Sequence, residues 1–214
     1  MNDIEFYEAK HLYLVDGEEV PSVTTILNYL SQAEYEVVNR GVLDQAARRG
    51  SLVHEYTELI DYGAEPEEVE YEVVGYLKAY KDFLRDYRPD WTHIESPVYS
   101  KYYGYVGTLD RAGVIDGARV IVDIKTVGSP TKLQKFIVCS QTRAYAVALK
   151  EMEMVGTDKR FALYLGKDGE YNLVSLNEYE DKYEYNSWGM FTKCLDLYKA
   201  VFALKNAKPK KGKG

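Results

Sequence analysis

The sequence predicts an α+β protein in which a mixed central β-sheet is flanked by helices and preceded by an N-terminal helical region. Two patterns carry this prediction. Apolar side chains recur with the helical period in long segments such as 67–87, whereas side chains alternate with a period of two in short segments such as 119–126. The resulting order of a helical region, three antiparallel strands, a helix and a further strand is typical of an α+β core.

The first 90 residues are predicted to contain a hairpin followed by helices. Asp16-Gly17 is a strong turn signal between two short strands. Ser22 or Thr24 is expected to cap the first helix, and the second is expected to break near Gly50. The predicted segments are a hairpin over 6–20, a short helix to residue 30, a helical tract over 34–62 and a helix over 67–87.

The rest of the chain is predicted to build the sheet. Asp116-Gly117 predicts a tight hairpin, and Thr131 is expected to cap the helix that follows it. The predicted segments are strands over 91–100, 105–115 and 119–125, a helix over 131–152, strands over 160–165 and 171–176, and a closing helix over 183–206. We therefore expect one domain over 1–206, made of an N-terminal part to 90, a core over 91–176 and a closing helical part, and then a basic disordered tail over 207–214.

Composition narrows the class of protein. A chain of 214 residues with 46% hydrophobic content can bury one core. Its start has no secretory signal and no stretch is apolar enough to span a membrane, so we expect a cytoplasmic protein. Cys139 and Cys194 are isolated, which fits a reducing compartment and core packing and predicts no cysteine-ligated zinc or iron–sulfur cluster.

The charge is distributed unevenly along the chain. The net charge is −7, yet residues 1–100 carry 21 acidic and 8 basic side chains, whereas residues 101–214 carry 13 and 19. A polyanionic partner would therefore be drawn to the second half. An uneven but merely solvated surface would give the same pattern.

Two carboxylates stand out in the predicted sheet. On the strand over 119–125, alternation places Asp123 on the same face as Lys125, within an otherwise apolar run. Asp110 lies on the preceding strand, and the tight hairpin can bring it beside Asp123. Two carboxylates this close repel each other unless a proton or a cation lies between them. Oxygen ligands of this kind favour magnesium or manganese.

Other groups could complete such a site. The carbonyl of Ile124 is a possible further metal ligand, and the Lys125 ammonium could orient water or stabilise charge on phosphorus. Gln141 and Tyr145 are four residues apart on the following helix, so they share a face and could support the site.

Each of these residues also has a plain structural interpretation. Asp110 could cap a turn, Asp123 with Lys125 could be a buried ion pair, and Gln141 could satisfy a backbone group. His54 could complete a metal shell or contact DNA, although a lone helical histidine is more often structural. Glu95 is either a surface residue or a third carboxylate near Asp110.

Four motifs taken in order resemble the PD-(D/E)XK nuclease superfamily, most closely its RecB-like branch, which includes phage recombination exonucleases. They are Gly50-Ser-Leu-Val-His54, Gly107-Thr-Leu-Asp110, Asp123-Ile-Lys125 and Gln141-Thr-Arg-Ala-Tyr145, and they span residues 50–145. The segment Pro21-Ser-Val-Thr-Thr-Ile-Leu is similar to the N-terminal part of phage-encoded members.

The resemblance implies a restriction-endonuclease-like core and a role for each motif residue. Asp110 and Asp123 would be metal ligands, Lys125 would be catalytic, Gln141 with Tyr145 would support the site, and His54 would match the histidine of the RecB-like motif. Leu109 replaces the proline expected before the first acid, as is common in this branch. The iron–sulfur cysteines of some relatives are absent, so no cluster is expected.

The expectation is therefore a magnesium- or manganese-dependent deoxyribonuclease active in the bacterial host cytoplasm. The resemblance implies an exonuclease encoded by a phage or prophage that processes DNA ends for recombination or replication, whereas the residues themselves do not distinguish exonucleolytic from endonucleolytic cleavage. Its expected partners are DNA, further copies of itself and a single-strand annealing protein, with no membrane. The alternative is a non-catalytic DNA-binding or interaction protein that keeps the nuclease fold. A tyrosine-rich assembly protein is a third hypothesis, since the chain has 21 tyrosines.

Overall fold

The computed structural model describes residues 4–7, 12–36, 38–66 and 68–207. The predicted basic tail lies outside this part of the chain, apart from residue 207, and so does part of the predicted N-terminal hairpin. No helix within the described ranges is long and apolar enough to cross a lipid bilayer.

A small antiparallel sheet opens the chain. It consists of β1 (Ile4–Tyr7), β2 (Leu12–Val15) and β3 (Glu18–Val20), in the order β1-β2-β3. Asp16 and Gly17 both have positive φ angles, 51° and 82°, which is the backbone of the tight hairpin turn that Asp-Gly predicts. The chain then runs beside the central sheet, where Val106 donates its backbone N–H to the carbonyl of Pro21 at 3.1 Å.

Three helices follow, and three of their boundaries differ from the sequence prediction, the first being the end of the first helix at Tyr35 instead of residue 30. They are α1 (Val23–Tyr35), α2 (Arg40–Asp61) and α3 (Val74–Tyr87), the last entered through a short 3-10 helix, Tyr71–Val73. Ser22, not Thr24, caps α1, because its hydroxyl accepts the N–H of Thr25 at 3.0 Å. The tract predicted over 34–62 breaks before Arg40, where Asn39 caps α2, and continues through Gly50.

The third helix also begins later than predicted: residue 67, its predicted start, lies outside the described residues, and residues 68–70 are not helical. Glu70 has an extended backbone, with φ −60° and ψ 133°. The physical reason is that the guanidinium of Arg48 on α2 binds the carboxylates of both Glu70 and Glu72, which ties this segment across α2 before the helix begins.

The central sheet has five strands in the order β4-β5-β6-β7-β8. Strands β4 to β6 form the antiparallel meander that the sequence predicts, β7 pairs parallel to β6, and β8 pairs antiparallel to β7. The mixed sheet and its flanking helices confirm the α+β fold class. The strands are β4 (Asp90–Ser100), β5 (Tyr105–Ile115), β6 (Ala118–Lys125), β7 (Lys159–Leu165) and β8 (Tyr171–Ser175).

Helix α4 (Lys132–Glu153) connects β6 to β7. Thr131 caps it as expected, in a capping box with Gln134. The closing region differs from the prediction, because it contains two helices, α5 (Leu176–Tyr183) and α6 (Ser187–Lys205). The side chains of Ser175 and Asn186 cap these helices, so the chain turns between them instead of forming one helix from residue 183.

The sheet lies between two apolar clusters. One joins it to α1, α4 and α6, and the other joins it to α2 and α3. The alternation of β6 is as predicted, since Val120, Val122 and Ile124 pack toward α2 and α3, and Ile121 packs toward α4. Asp123 and Lys125 therefore lie on the α4 side, just beyond the apolar core.

Candidate active site

Asp110 and Asp123 face each other across β5 and β6. Arg111 pairs with Val122, so the residues one step further along each strand are these two acids. The carboxylate of Asp110 accepts the backbone N–H of Ile124 at 2.6 Å, where no further pair of the β5–β6 ladder forms. Because the N–H and carbonyl of a strand residue point to the same edge, the carbonyl of Ile124 also faces Asp110.

Asp123 is a buried carboxylate with an incomplete set of partners. It is 1% exposed, and its Oδ2 lies 2.6 Å from the Nζ of Lys125. Its Oδ1 is buried and has no hydrogen-bond partner among the described residues. Burial raises the pKa of Asp123 to about 6, and the charge of Asp110 adds to this rise while Lys125 opposes it. A buried anionic oxygen without a partner is costly, so something must compensate it.

Lys125 keeps its charge in this site. Burial alone would lower the pKa of the Lys125 ammonium, but the charges of Asp123 and Asp110 outweigh that effect and raise it. The side chain remains 30% exposed to the adjoining cleft. Lys125 is therefore suited to electrostatic stabilisation and not to removing a proton from water.

His54 and Glu95 complete a group of metal-ligating atoms with Asp110. One atom from each of the three side chains lies within 4.8 Å of the other two. His54 Nδ1 is 2.9 Å from Glu95 Oε1, and His54 Nε2 is 3.8 Å from Asp110 Oδ2. Although burial opposes it, the charges of Asp110 and Glu95 raise the pKa of His54 to about 9. The structure thus places the carboxylate of Glu95 near that of Asp110. This agrees with the interpretation of Glu95 as a third carboxylate and not with its interpretation as a surface residue.

Glu95 has an unusual backbone for a strand residue. Its φ is +42°, in the left-handed region, in the middle of β4. Such a conformation costs on the order of 1–3 kcal/mol for a residue other than glycine, and it persists only where surrounding contacts enforce it. Here the contacts are with His54 and with Arg111, whose Nη1 donates to Glu95 Oε1 at 2.8 Å.

Arg111 was not identified from the sequence. Its side chain is fully buried and donates to Asp61 Oδ2 at 2.5 Å, to Thr57 Oγ1 at 3.1 Å and to the carbonyl of Asp110 at 2.7 Å, besides its bond to Glu95. Arg111 lies next to an acid on a predicted central strand, where a side chain is expected to be buried. Because a buried arginine needs partners, this requirement could have been recognised from the sequence. The identity of those partners, 50 and 54 residues away along the chain, had no local signal.

Gln141 and Tyr145 lie on the face of α4 that covers the site. The Nε2 of Gln141 donates to the Tyr145 hydroxyl at 3.1 Å, so the hydrogen of that hydroxyl remains for another acceptor. Burial, with the charges of Asp110 and Asp123, raises the pKa of Tyr145 well above its usual value. Tyr145 is therefore a neutral hydroxyl donor. Its ring lies where a side chain at Gly107 would be, 2.7 Å from the position of an added Cβ.

A cleft of about 940 Å³ opens onto this group. Its floor includes Asp110, Lys125, Gln141 and Tyr145, and α2 provides one wall with His54 and two further acids. A smaller cavity of about 160 Å³ lies on the other side of Lys125 and Gln141, which line both spaces. The cleft exposes the candidate metal ligands to a substrate, whereas Asp123 lies below the floor.

The donor set fits a hard divalent cation. The ligand atoms of His54, Glu95 and Asp110 lie close enough together to surround one small cation. The unpartnered Oδ1 of Asp123 is the buried atom that a cation would satisfy. Asp110, Asp123, Glu95, His54 and the Ile124 carbonyl are the groups that could hold it.

Comparison with protein-family models and with curated proteins returned no match. A solved structure titled "Crystal structure of SSO0001" is 15% identical and covers 85% of each chain, with a TM-score of 0.36. A TM-score of this size supports no statement about a shared fold or activity.

Proposed function

We propose that the protein is a magnesium- or manganese-dependent deoxyribonuclease that hydrolyses DNA phosphodiester bonds. The observation that supports this most is Asp123, a buried carboxylate with an unpartnered Oδ1, an ammonium at 2.6 Å and a second carboxylate on the neighbouring strand. The proposal extends to the role that the resemblance implies, an exonuclease of the RecB-like branch that processes DNA ends for phage recombination.

The chemistry would be divided among metal, lysine and tyrosine. A divalent ion held by Asp110 and Asp123 would supply a water of lowered pKa and polarise a phosphoryl oxygen. Lys125 stays positively charged beside Asp123 and points into the cleft, so it stabilises the negative charge that develops on the scissile phosphate. The Tyr145 hydroxyl, oriented by Gln141, offers a hydrogen to an acceptor in the same cleft.

A cleavage assay tests this function. Linear duplex, circular duplex and single-stranded DNA are each incubated with magnesium, manganese or a chelator, using wild type, Asp123→Ala and Lys125→Ala. Removing a charged group that stabilises the transition state costs on the order of 10²- to 10³-fold in rate. Lys101→Ala, at an exposed lysine outside the cleft, is the matched control and retains wild-type activity.

The outcomes separate the candidate functions. Cleavage of linear but not circular DNA, abolished by chelator and by Lys125→Ala, establishes an end-dependent nuclease. Nicking of circles indicates an endonuclease. A folded protein that binds DNA and cleaves none of the substrates refutes the enzyme and favours the non-catalytic DNA-binding alternative.

A further inference from the structure

Three lysines lie on a cluster of aromatic rings beside the first turn of α4. The four rings of the cluster, whose contacting centroids are 4.3 to 5.6 Å apart, are those of Phe136, Tyr179, Tyr183 and Tyr185. The Nζ atoms of Lys132 and Lys182 lie 3.9 and 5.6 Å from the centroid of the Tyr183 ring. Lys135 Nζ lies 5.8 Å from the centroid of the Tyr179 ring. These three lysines form what we call the lysine patch.

The positive charge of the lysine patch is not balanced by its neighbours. None of its ammonium groups forms an ion pair with a carboxylate in the part of the chain that the structure describes. The exposed acids of α5 and its cap are Glu178, Asp181 and Glu184. The carboxylate of Glu34 approaches the start of α4, but it accepts the hydroxyl of Thr131 at 2.7 Å. Two ammonium groups therefore share one ring and repel each other, and a bound anion would relieve this repulsion.

The rings hold the lysines in place without cancelling their charge. An ammonium over the face of an aromatic ring is attracted by the ring quadrupole, but the ring has no net charge. A carboxylate partner would have neutralised each lysine, whereas a ring leaves the full charge available. Lys132 and Lys182 are exposed, so the lysine patch presents this charge to solvent.

The candidate active cleft has too little positive charge to hold DNA by itself. Lys125 is the only lysine or arginine among the described residues that line it, and Glu55 and Glu58 lie on its α2 wall. Binding to DNA without sequence preference depends on lysines and arginines that neutralise phosphates. A DNA-binding protein with this cleft therefore needs phosphate contacts outside it.

The lysine patch lies close enough to the site to supply such contacts. Gln134, in the same turn of α4 as Lys132 and Lys135, lines the small cavity that adjoins Lys125. Lys132 is two positions from Gln134, which places it on the opposite side of the helix, about 10–12 Å away. A DNA duplex carries one negative charge per about 1.7 Å of its axis, so several phosphates fall within that distance.

We propose that the lysine patch binds the phosphate backbone of DNA outside the cleft and anchors the substrate there. The proposal rests on the nuclease function proposed above, which identifies the polyanion as DNA. An ammonium group binds phosphate as a point charge, and contacts to the backbone carry no sequence information. The anchor therefore contributes affinity for any DNA sequence.

Variants with the same loss of charge at different places provide the matched control. The patch variant combines Lys132→Gln, Lys135→Gln and Lys182→Gln. The control variant combines Lys101→Gln, Lys150→Gln and Lys193→Gln, at exposed lysines outside the patch. An arginine variant, with Lys132→Arg, Lys135→Arg and Lys182→Arg, keeps the charge of the patch.

The experiment measures binding of a short end-labelled DNA duplex by fluorescence anisotropy, with the full-length protein in chelator so that no cleavage occurs. Titrations over about 50 to 200 mM salt give the slope of log affinity against log salt concentration. Each phosphate contact contributes about 0.9 to the magnitude of this slope, so the patch variant lowers it by about two to three. Its affinity at the lowest salt falls by at least about tenfold. The control and arginine variants keep the wild-type slope.

Three results would overturn the proposal: an unchanged slope in the patch variant, equal losses in the patch and control variants, and displacement of the duplex by polyglutamate as effectively as by unlabelled DNA. The last result would indicate an acidic protein as the partner. Tighter binding of the matching RNA duplex would refute the assignment to DNA. Patch-dependent binding by a protein that never cleaves would leave the anchor standing and refute the nuclease. Metal-dependent cleavage with wild-type binding by the patch variant would do the reverse.

Discussion

Asp123 is a residue whose charge disfavours the folded state when no metal is bound. Its pKa is raised from 3.8 to about 6, so its contribution to stability is fully present below pH 3.8 and is lost as the pH rises through 6. A difference of this size corresponds to on the order of 1–3 kcal/mol. A side chain that weakens the fold at neutral pH is typical of a site kept for function.

We therefore expect Asp123→Asn to remove activity without lowering the stability of the metal-free protein at pH 7. The amide resembles the neutral carboxyl that burial favours, so the variant does not undergo the loss of stability that wild type undergoes through Asp123 between pH 5 and pH 7. Thermal unfolding in chelator at both pH values measures this. Asp44→Asn, at an exposed acid, keeps the wild-type pH dependence. A lower melting temperature of Asp123→Asn at pH 7 would contradict the prediction.

Arg111 acts on the site through the residues it binds. It holds Glu95 in its left-handed conformation and contacts the backbone of Asp110, so it is a positioning residue. We expect Arg111→Lys, which cannot reproduce its four contacts, to weaken manganese binding by about 10- to 100-fold, the usual effect of losing a partner behind a metal ligand. Calorimetric titration of the metal-free protein with manganese measures the affinity.

Arg160 is the matched control for Arg111. It is also fully buried in the central sheet, and it pairs with Glu180 at 2.8 Å, away from the cleft. Arg160→Lys should reduce stability and leave manganese affinity unchanged. If Arg111→Lys does not fold, Thr57→Val is the alternative variant, because it removes only the hydrogen bond from Arg111 to the Thr57 hydroxyl. Equal manganese affinity in wild type and both Arg111 and Thr57 variants would show that the network is only structural.

The elements show which parts of the fold the sequence could predict. Strand β6 was predictable because its period of two separates an apolar face from Asp123 and Lys125, and the turns at Asp16-Gly17 and Asp116-Gly117 followed from glycine next to aspartate. These features depend on neighbouring residues alone. The opposed positions of Asp110 and Asp123 followed from one strand pair and one turn.

Features that depend on distant contacts were not predictable in the same way. The late start of α3 depends on Arg48, more than 20 residues earlier. Helix α5 is only eight residues long, and the sequence prediction placed no helix between residues 176 and 183. The left-handed backbone of Glu95 and the pairing of Arg111 with Asp61 arise from contacts between the assembled sheet and helices. The local sequence pattern contains no signal for either feature.

The contact between β5 and α4 can be tested at Gly107. An added Cβ would lie 2.7 Å from the Tyr145 ring and 3.3 Å from Val23. We expect Gly107→Ala to destabilise the fold by about 1–3 kcal/mol and to reduce cleavage, because relief of the clash displaces Tyr145 from Gln141. Gly128→Ala, where no atom lies within 4 Å, is the control. Unchanged melting temperature and activity in Gly107→Ala would refute the close contact.

At the scale of the whole molecule, stability is unevenly distributed. Within the part of the chain that the structure describes, the small N-terminal sheet packs through a cluster of three buried residues, whereas the central sheet lies between two much larger clusters. Regions with few buried apolar contacts open at a lower free energy than the global unfolding.

We therefore expect backbone amides of β2 to exchange with solvent faster than those of β6 and β7, as measured by hydrogen exchange on the metal-free protein. Strand β6 has a strand neighbour on each side and is the internal reference. Equal protection of β2 and β6 would indicate that the two sheets unfold as one unit.

The adjacency of Asp110 and Arg111 has a consequence for how this protein tolerates genetic change. One residue faces the cleft and the next is fully buried among its partners. In a library of single substitutions sorted first for soluble expression and then for cleavage, changes at position 111 would be removed in the first sort and changes at position 110 in the second. A one-codon insertion or deletion before them would exchange their faces and fail both sorts.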